Sequence, residues 1–169
     1  DDEKDSQGRM VIDHESAIGI RDYSIGFACR GVEVDDDLLA NLIQSQEKLC
    51  FNFGRKRKTI AMGIYRSNLI NYPVHYAAVD PDTTAFVPLG MDEKLSLREI
   101  CQKHPKGKEY GYIVSSYDKF PYLYDDKGVT LSFPPVINSA RIGAVEVGDS
   151  EFFIEVSGPI LNDLLLAVN

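Results

Sequence analysis

Two short stretches of this chain hold polar groups where apolar ones dominate. Phe152-Phe153-Ile154-Glu155-Val156-Ser157-Gly158 sets one carboxylate and one hydroxyl among apolar strand formers. Leu131-Ser132-Phe133-Pro134-Pro135-Val136-Ile137-Asn138-Ser139 adds hydroxyls, an amide and a proline pair. Strand alternation puts Glu155 and Ser157 on one face and Ile154 and Val156 on the other. Such a set suits a small pocket that recognises one polar group on a mostly apolar ligand. For Glu155 alone a solvated strand face is the commoner outcome. Ser157 could orient Glu155 or a ligand, or cap the helix that follows Pro159. The two prolines end strand pairing. They either make a rigid turn or leave the amides of Ile137, Asn138 and Ser139 free to meet an ester oxygen.

A second kind of chemistry lies in Arg55-Lys56-Arg57-Lys58, the strongest basic run of the chain. Lys103, Lys106 and Lys108 form another cluster around His104. Each is either a solvated face or a phosphate contact. No motif assigns acid–base work to His14, His75 or His104. Cys29, Cys50 and Cys101 lie far apart, which fits reduced thiols in a cytosolic protein and gives no metal-ligand spacing. Neither a Ser-His-Asp set nor a G-x-S-x-G elbow is present.

The whole chain bounds these readings. Its 169 residues suit one domain, and a net charge of −8 argues against generic nucleic-acid coating or DNA binding. No stretch is long and apolar enough to span a bilayer, and the acidic start is unlike a signal peptide. Residues 1–8 read as a disordered acidic tail, and 9–169 as a single domain.

The elements that must hold the polar groups follow from local pattern. Met10 to Ile12 read as a short strand, and 17–34 as strands with bulges at glycines. Asp35 to Asp37 start a helix whose apolar positions recur from Leu38 to Phe53 and which ends near Gly54. Thr59 to Tyr65 fit a strand or a short helix. Strands are expected over 75–79 and 85–89, with a turn at Asp80-Pro81-Asp82. Ser96 and Glu99 form a capping box for a helix over 97–103, and 107–117 reads as helical. A hairpin turns at Asp125-Asp126-Lys127-Gly128, with further strands over 142–147 and 152–156. A last helix should bury Ile160, Leu161, Leu164, Leu165 and Val168 on one face. Hairpin-joined strands imply an α+β fold, with mostly antiparallel sheets and helices packed on one side. The end of the chain directly after this helix is expected to be a domain edge.

An ordered set of segments resembles the β subunit of phenylalanyl-tRNA synthetase, of the archaeal and eukaryotic-cytosolic type. They are Gln46 to Lys58, Phe86-Val87-Pro88-Leu89-Gly90, Leu97-Arg98-Glu99-Ile100, His104-Pro105-Lys106-Gly107 and the two stretches above. The resemblance implies a B3/B4 editing domain, a layered sandwich cut from a longer cytoplasmic subunit. In that family the module hydrolyses tyrosine wrongly attached to tRNA(Phe). It implies that Glu155 reads the tyrosine hydroxyl, where archaeal relatives often carry Asp. Ser132, Ser157 and Leu123 then shape the pocket, with Asn138 beside them, and Arg55, Lys56, Arg57 and Lys58 meet tRNA. The implied partners are tRNA(Phe) and an α subunit in a heterotetramer of two α and two β chains. No cofactor is expected in this domain, ATP and Mg being expected for the full synthetase. A non-catalytic docking module for tRNA or a subunit is the alternative, as is a free-standing deacylase.

Overall fold

The computed structural model describes residues 10–17 and 19–169, so the expected acidic tail over 1–8 lies outside the described residues. In chain order the elements are β1 (Met10–Ile12), α1 (His14–Ala17), β2 (Tyr23–Arg30), α2 (Asp36–Lys48), β3 (Ala61–Arg66), β4 (Val74–Val79), β5 (Ala85–Phe86) and β6 (Leu95–Ser96). There follow α3 (Leu97–Lys103), α4 (Pro105–Tyr110), β7 (Phe120–Asp125), β8 (Thr130–Phe133), β9 (Ile137–Asn138), β10 (Glu151–Gly158) and α5 (Leu161–Val168). The fold is α+β, as the pattern predicts. A five-stranded sheet runs β1-β4-β7-β8-β9, a three-stranded sheet β2-β10-β3, and β5 pairs β6. Every pairing is antiparallel except β1 with β4.

Three apolar clusters show how the layers stack. Ile64, Phe152, Ile154 and Val156 pack with Leu38, Leu39, Leu42 and Leu164, so α2 and α5 cover one face of the three-stranded sheet. Leu97, Ile100 and Tyr110 pack with Phe120, Tyr122 and Phe133, so α3 and α4 cover the far face of the five-stranded sheet. Between the sheets lie Tyr65, Tyr76, Leu123, Leu131 and Phe153. Since side chains alternate along β10, Phe153, Glu155 and Ser157 all point into this inter-sheet layer.

Local chemistry explains several boundaries. Asp35 caps α2 through the Leu38 amide at 2.7 Å, and the helix passes into a π-helical turn over Leu49–Phe53 before Gly54. Ser96 and Glu99 form the predicted capping box of α3. The ambiguous stretch before Tyr65 is strand β3.

Other expectations fail for nonlocal reasons. The stretch 17–34 holds the one strand β2. Residues 142–147 are irregular, with turns only at their two ends, instead of a strand, because their backbone bonds elsewhere. Ile142 O accepts from the Arg66 amide, Gly143 O from the Asn138 side chain, and the Glu146 amide donates to Asp149. Strand β5 stops at Phe86, short of the expected 89. Helix α4 begins at Pro105, before Gly107, because the His104 ring caps it. It ends at Tyr110, with one 3-10 turn over Gly111–Ile113. On α5 only Leu164 is fully buried, while Ile160, Leu161 and Leu165 are exposed. Ser157 lies within β10 and does not cap that helix, whose cap position is Ile160. Hairpins join β7 to β8 and β8 to β9, yet β10 inserts between β2 and β3 from far along the chain.

One buried cation ties the layers to the basic run. The Arg21 guanidinium donates to the carbonyls of Arg57 at 3.1 Å and Lys58 at 3.2 Å, and to that of Ser157. Burial lowers its pKa, but it keeps its charge by facing carbonyl oxygens. Removing it leaves one buried acceptor, the Ser157 carbonyl, and two part-buried ones without this donor. Arg21→Met should therefore lower stability by about 2–4 kcal/mol in denaturant unfolding, with faster amide exchange at Arg57 and Thr59.

Candidate functional site

Glu155 sits at the middle of β10 with glycine on either side: Gly26 on β2 and Gly63 on β3. Neither neighbour tolerates a Cβ. At Gly63 it would come within 1.9 Å of the Tyr65 hydroxyl, and at Gly26 within 2.5 Å of the Phe153 ring. The glycines thus let the Tyr65 and Phe153 rings close over the strands on either side of the carboxylate. Glu155 is 1% exposed, and Ser24 donates to its Oε1 at 2.6 Å. Burial pushes its pKa up to about 7, opposed by the Ser24 hydrogen bond, the Arg21 charge and the Ser157 hydroxyl. Arg21 makes no ion pair with it, because its hydrogen bonds go to backbone carbonyls. The carboxyl therefore titrates near neutrality and keeps acceptor capacity beyond Ser24.

The facing sheet supplies the second wall. Register aligns Leu123, Ser132 and Asn138 in one row across β7, β8 and β9. The Tyr65 hydroxyl reaches over Gly63 and donates to Ser132 Oγ at 2.8 Å. Beside these groups lies a slot of about 30 Å³, lined among others by Glu155, Gly63, Tyr65, Ser132, Pro135 and Asn138. That is room for about one water-sized group. It adjoins a groove of about 260 Å³ between α2 and residues 136–145, and the two share Arg57, Met62, Val136, Ile137 and Asn138. Leu123 is fully buried in the inter-sheet core and does not line the slot. Ser157 is also fully buried, with an Oγ that completes no hydrogen bond of good geometry.

The proline corner is a turn with the Pro134–Pro135 peptide cis. The Val136 amide donates to Phe133 and the Ser139 amide to Leu131. The Ser139 amide is thus committed to the ladder, against the expectation that it is free for an ester oxygen. Arg57 bonds this corner, its Nη1 donating to the carbonyls of Pro135 and Val136 at 3.0 Å each. Its guanidinium carbon lies 4.1 Å from the Tyr110 ring centroid. Arg57 is therefore a wall of the site, while Arg55, Lys56 and Lys58 are exposed.

Sequence and overall fold both have relatives. No family model matches the chain. Over 168 residues, 99% of its length, it is 48% identical to the phenylalanine–tRNA ligase beta subunit of Borreliella burgdorferi strain ZS7. Over 162 residues it is 48% identical to that of Borrelia turicatae strain 91E135. It spans only 29% and 28% of these relatives. A crystal structure of an N-terminal fragment of the phenylalanyl-tRNA synthetase beta subunit from Pyrococcus horikoshii matches with a TM-score of 0.87 and 38% identity, over 94% of this chain and 45% of that one. The chain is homologous to part of the phenylalanine–tRNA ligase beta subunit.

Within this chain, sequence reasoning missed the groups that surround Glu155. Ser24 and Gly26 stand two apart in β2, opposite Ser157 and Glu155. That repeat of small residues in an apolar strand was a usable signal. Gly63 with Tyr65 in β3 gave no comparable sign. The remaining polar candidates have structural work. His104 holds its proton on Nε2, facing the Leu89 carbonyl at 3.0 Å, while Nδ1 accepts from the Lys106 amide. Cys50 is buried and accepts from the Met62 amide; burial raises its thiol pKa, and pushes that of Cys101 up to about 11. Among the described residues no His, Cys, Asp and Glu cluster could hold a metal ion, and no helix is long and apolar enough to cross a membrane.

The raised Glu155 pKa has a pH signature. Below the ordinary value of 4.5 both folded and unfolded states hold the proton, and stability is at its full value. Between 4.5 and about 7 only the unfolded state releases it, so stability falls as pH rises; above that window the loss is complete. Glu155→Gln keeps the Ser24 bond without the charge. The variant should match the parent near pH 4.5 and exceed it by roughly 3 kcal/mol at pH 8, read from urea unfolding across that range.

Proposed function

We propose that this segment is a B3/B4-type editing domain that hydrolyses the ester of Tyr-tRNA(Phe) within phenylalanine–tRNA ligase. The observation that carries the reading is Glu155, a buried carboxyl between two glycines at the end of a slot the size of one polar group. A pocket selecting phenylalanine rejects tyrosine only ~10²-fold, because an added hydroxyl barely disturbs an apolar site. A second pocket that rewards the hydroxyl reverses the preference. In this reading the aromatic ring lies along Met62, Val136 and Ile137, and the phenol oxygen enters the slot to donate to Glu155. Phenylalanine brings no donor and leaves the carboxylate with the Ser24 hydrogen bond alone and its remaining acceptor capacity unmet, at a cost of about 1–3 kcal/mol. Ser24 orients the carboxylate. Tyr65 and Ser132 close the slot against a larger group.

The chemistry asked of the chain is modest. Water attacks the ester carbonyl, the carbon–oxygen bond to the ribose breaks, and the ribose oxygen takes a proton. An aminoacyl ester is activated enough that holding it beside a positioned water supplies much of the rate. A ribose hydroxyl of the tRNA assists that water, by family analogy. The reaction as proposed uses no cofactor here; ATP and Mg serve the synthetic reaction of the complete enzyme. The proposed partners are tRNA(Phe) and the α subunit, in a two-α, two-β assembly in the cytoplasm.

Deacylation of Tyr-tRNA(Phe) by the chain, alone and within its assembled subunits, tests the reading. Glu155→Ala should slow it more than tenfold while the variant still folds and unfolds cooperatively. Discrimination for tyrosine over phenylalanine should rise with pH through about 7, as Glu155 ionises, and Glu155→Gln should abolish that rise. Binding of tRNA(Phe) with no hydrolysis by the parent would favour the docking module instead.

A further inference from the structure

The turn that carries the basic run has an unusual backbone. Arg55, Lys56 and Arg57 all have positive φ, at 48°, 56° and 66°. Left-handed conformations cost non-glycine residues of order 1–3 kcal/mol each. Glycine or asparagine would relieve the strain, yet three long cationic side chains stand here. The surroundings force the shape. Arg21 holds the Arg57 and Lys58 carbonyls from below, and the amides of Lys56 and Arg57 donate to Phe51 and Cys50. Gly54 has no room for a Cβ, which would meet Ile60 O at 2.4 Å.

The strained turn aims its cations into a cleft separate from the slot. This cleft, about 230 Å³, is lined by Glu47, Cys50, Phe51, Lys56, Arg57, Lys106 and Tyr110. Lys56 Nζ lies 5.4 Å from the Phe51 ring centroid, and Lys106 Nζ 5.4 Å from that of Tyr110. Phe51 is 56% exposed, an open aromatic face beside three cations in an acidic chain. Glu47 stands at the rim, and Glu109 pairs with Lys106 at 3.2 Å. Arg57 is the shared wall of cleft, groove and slot.

We infer that this cleft binds one unpaired nucleotide of an RNA strand, its base against Phe51 and its phosphate between Lys56 and Lys106. A base stacked on an aromatic face and a phosphate held by lysines is the usual chemistry of single-strand binding. The Glu47 carboxylate accepts from an exocyclic amine, which favours cytosine or adenine over uracil. Placement across Arg57 from the groove puts this nucleotide close to an aminoacyl ester held there. The inference rests on the editing proposal for the identity of the strand, as the 3′ end of a tRNA; the binding itself does not need Glu155.

The test is calorimetric titration of the chain with the 5′-phosphorylated trinucleotide pCCA, with pUUU and with inorganic phosphate, at several salt concentrations. Phe51, Lys56 and Lys106 are exposed or half-exposed, and thermal unfolding checks each variant. The parent should bind pCCA more tightly than pUUU and far more tightly than phosphate. Lys56→Ala with Lys106→Ala should weaken pCCA at least tenfold and reduce the slope of log affinity against log salt by about 0.7, the single-strand value for one phosphate. Phe51→Leu should weaken pCCA about tenfold and leave phosphate binding unchanged. Unchanged pCCA affinity in both variants overturns the inference, as does a Phe51→Leu variant that binds pCCA as the parent does, which leaves an ion site only. Glu155→Ala should bind pCCA within twofold of the parent. If that variant still deacylates Tyr-tRNA(Phe) while pCCA binding depends on Phe51 and the lysines, the editing reading fails and the cleft stands.

Discussion

One carboxyl group removed from water organises this domain. Glu155 is enclosed between two sheets, held by a serine hydroxyl and without a contacting cation. Ionising an acid in such a place is costly, and its pKa of about 7 expresses that cost. The domain pays it where an apolar side chain would pack better. The slot that results is too small for a ring and large enough for a hydroxyl. In the proposed reading, a site of that shape measures the presence of one atom.

Arg21 connects this acid to the basic turn. It lowers the cost of ionising Glu155 at a distance, while its hydrogen bonds go to the carbonyls of Arg57, Lys58 and Ser157. A direct ion pair would drive Glu155 toward permanent ionisation. Bound as it is, Arg21 fixes the backbone of the strained turn, and Arg57 then reaches across to the proline corner. The acid, the turn and the corner are parts of one hydrogen-bonded frame. A change in any of them should be felt at the others.

How much of this was legible in the sequence depends on the range of the interaction. The capping box at Ser96 and Glu99, the Asp35 cap and the hairpin at 125–128 are local, and the pattern gave them. Glu155, Ser132 and Asn138 stood out as polar groups on apolar strands, and the structure gathers them at one slot. Leu123 lies one strand away in the core. The insertion of β10 between β2 and β3 joins residues more than a hundred positions apart, which no local periodicity encodes. Ser24, Gly26 and Gly63 were therefore invisible as neighbours of Glu155. The left-handed turn at 55–57 carries no glycine to announce it, because tertiary hydrogen bonds impose it. Residues 142–147 alternate like a strand, yet their carbonyls and amides are claimed by Arg66, Asn138 and Asp149.

The most direct test of the central claim is the Glu155 carboxyl titration itself, followed by carbon-13 NMR with tyrosinamide or phenylalaninamide added. The account requires a midpoint near 7 in the free chain. A phenol that donates to the carboxylate stabilises its ionised form, so tyrosinamide must move the midpoint down while phenylalaninamide leaves it in place or raises it. Equal midpoints with the two ligands at saturation, or a free-state midpoint near 4.5, would contradict the account.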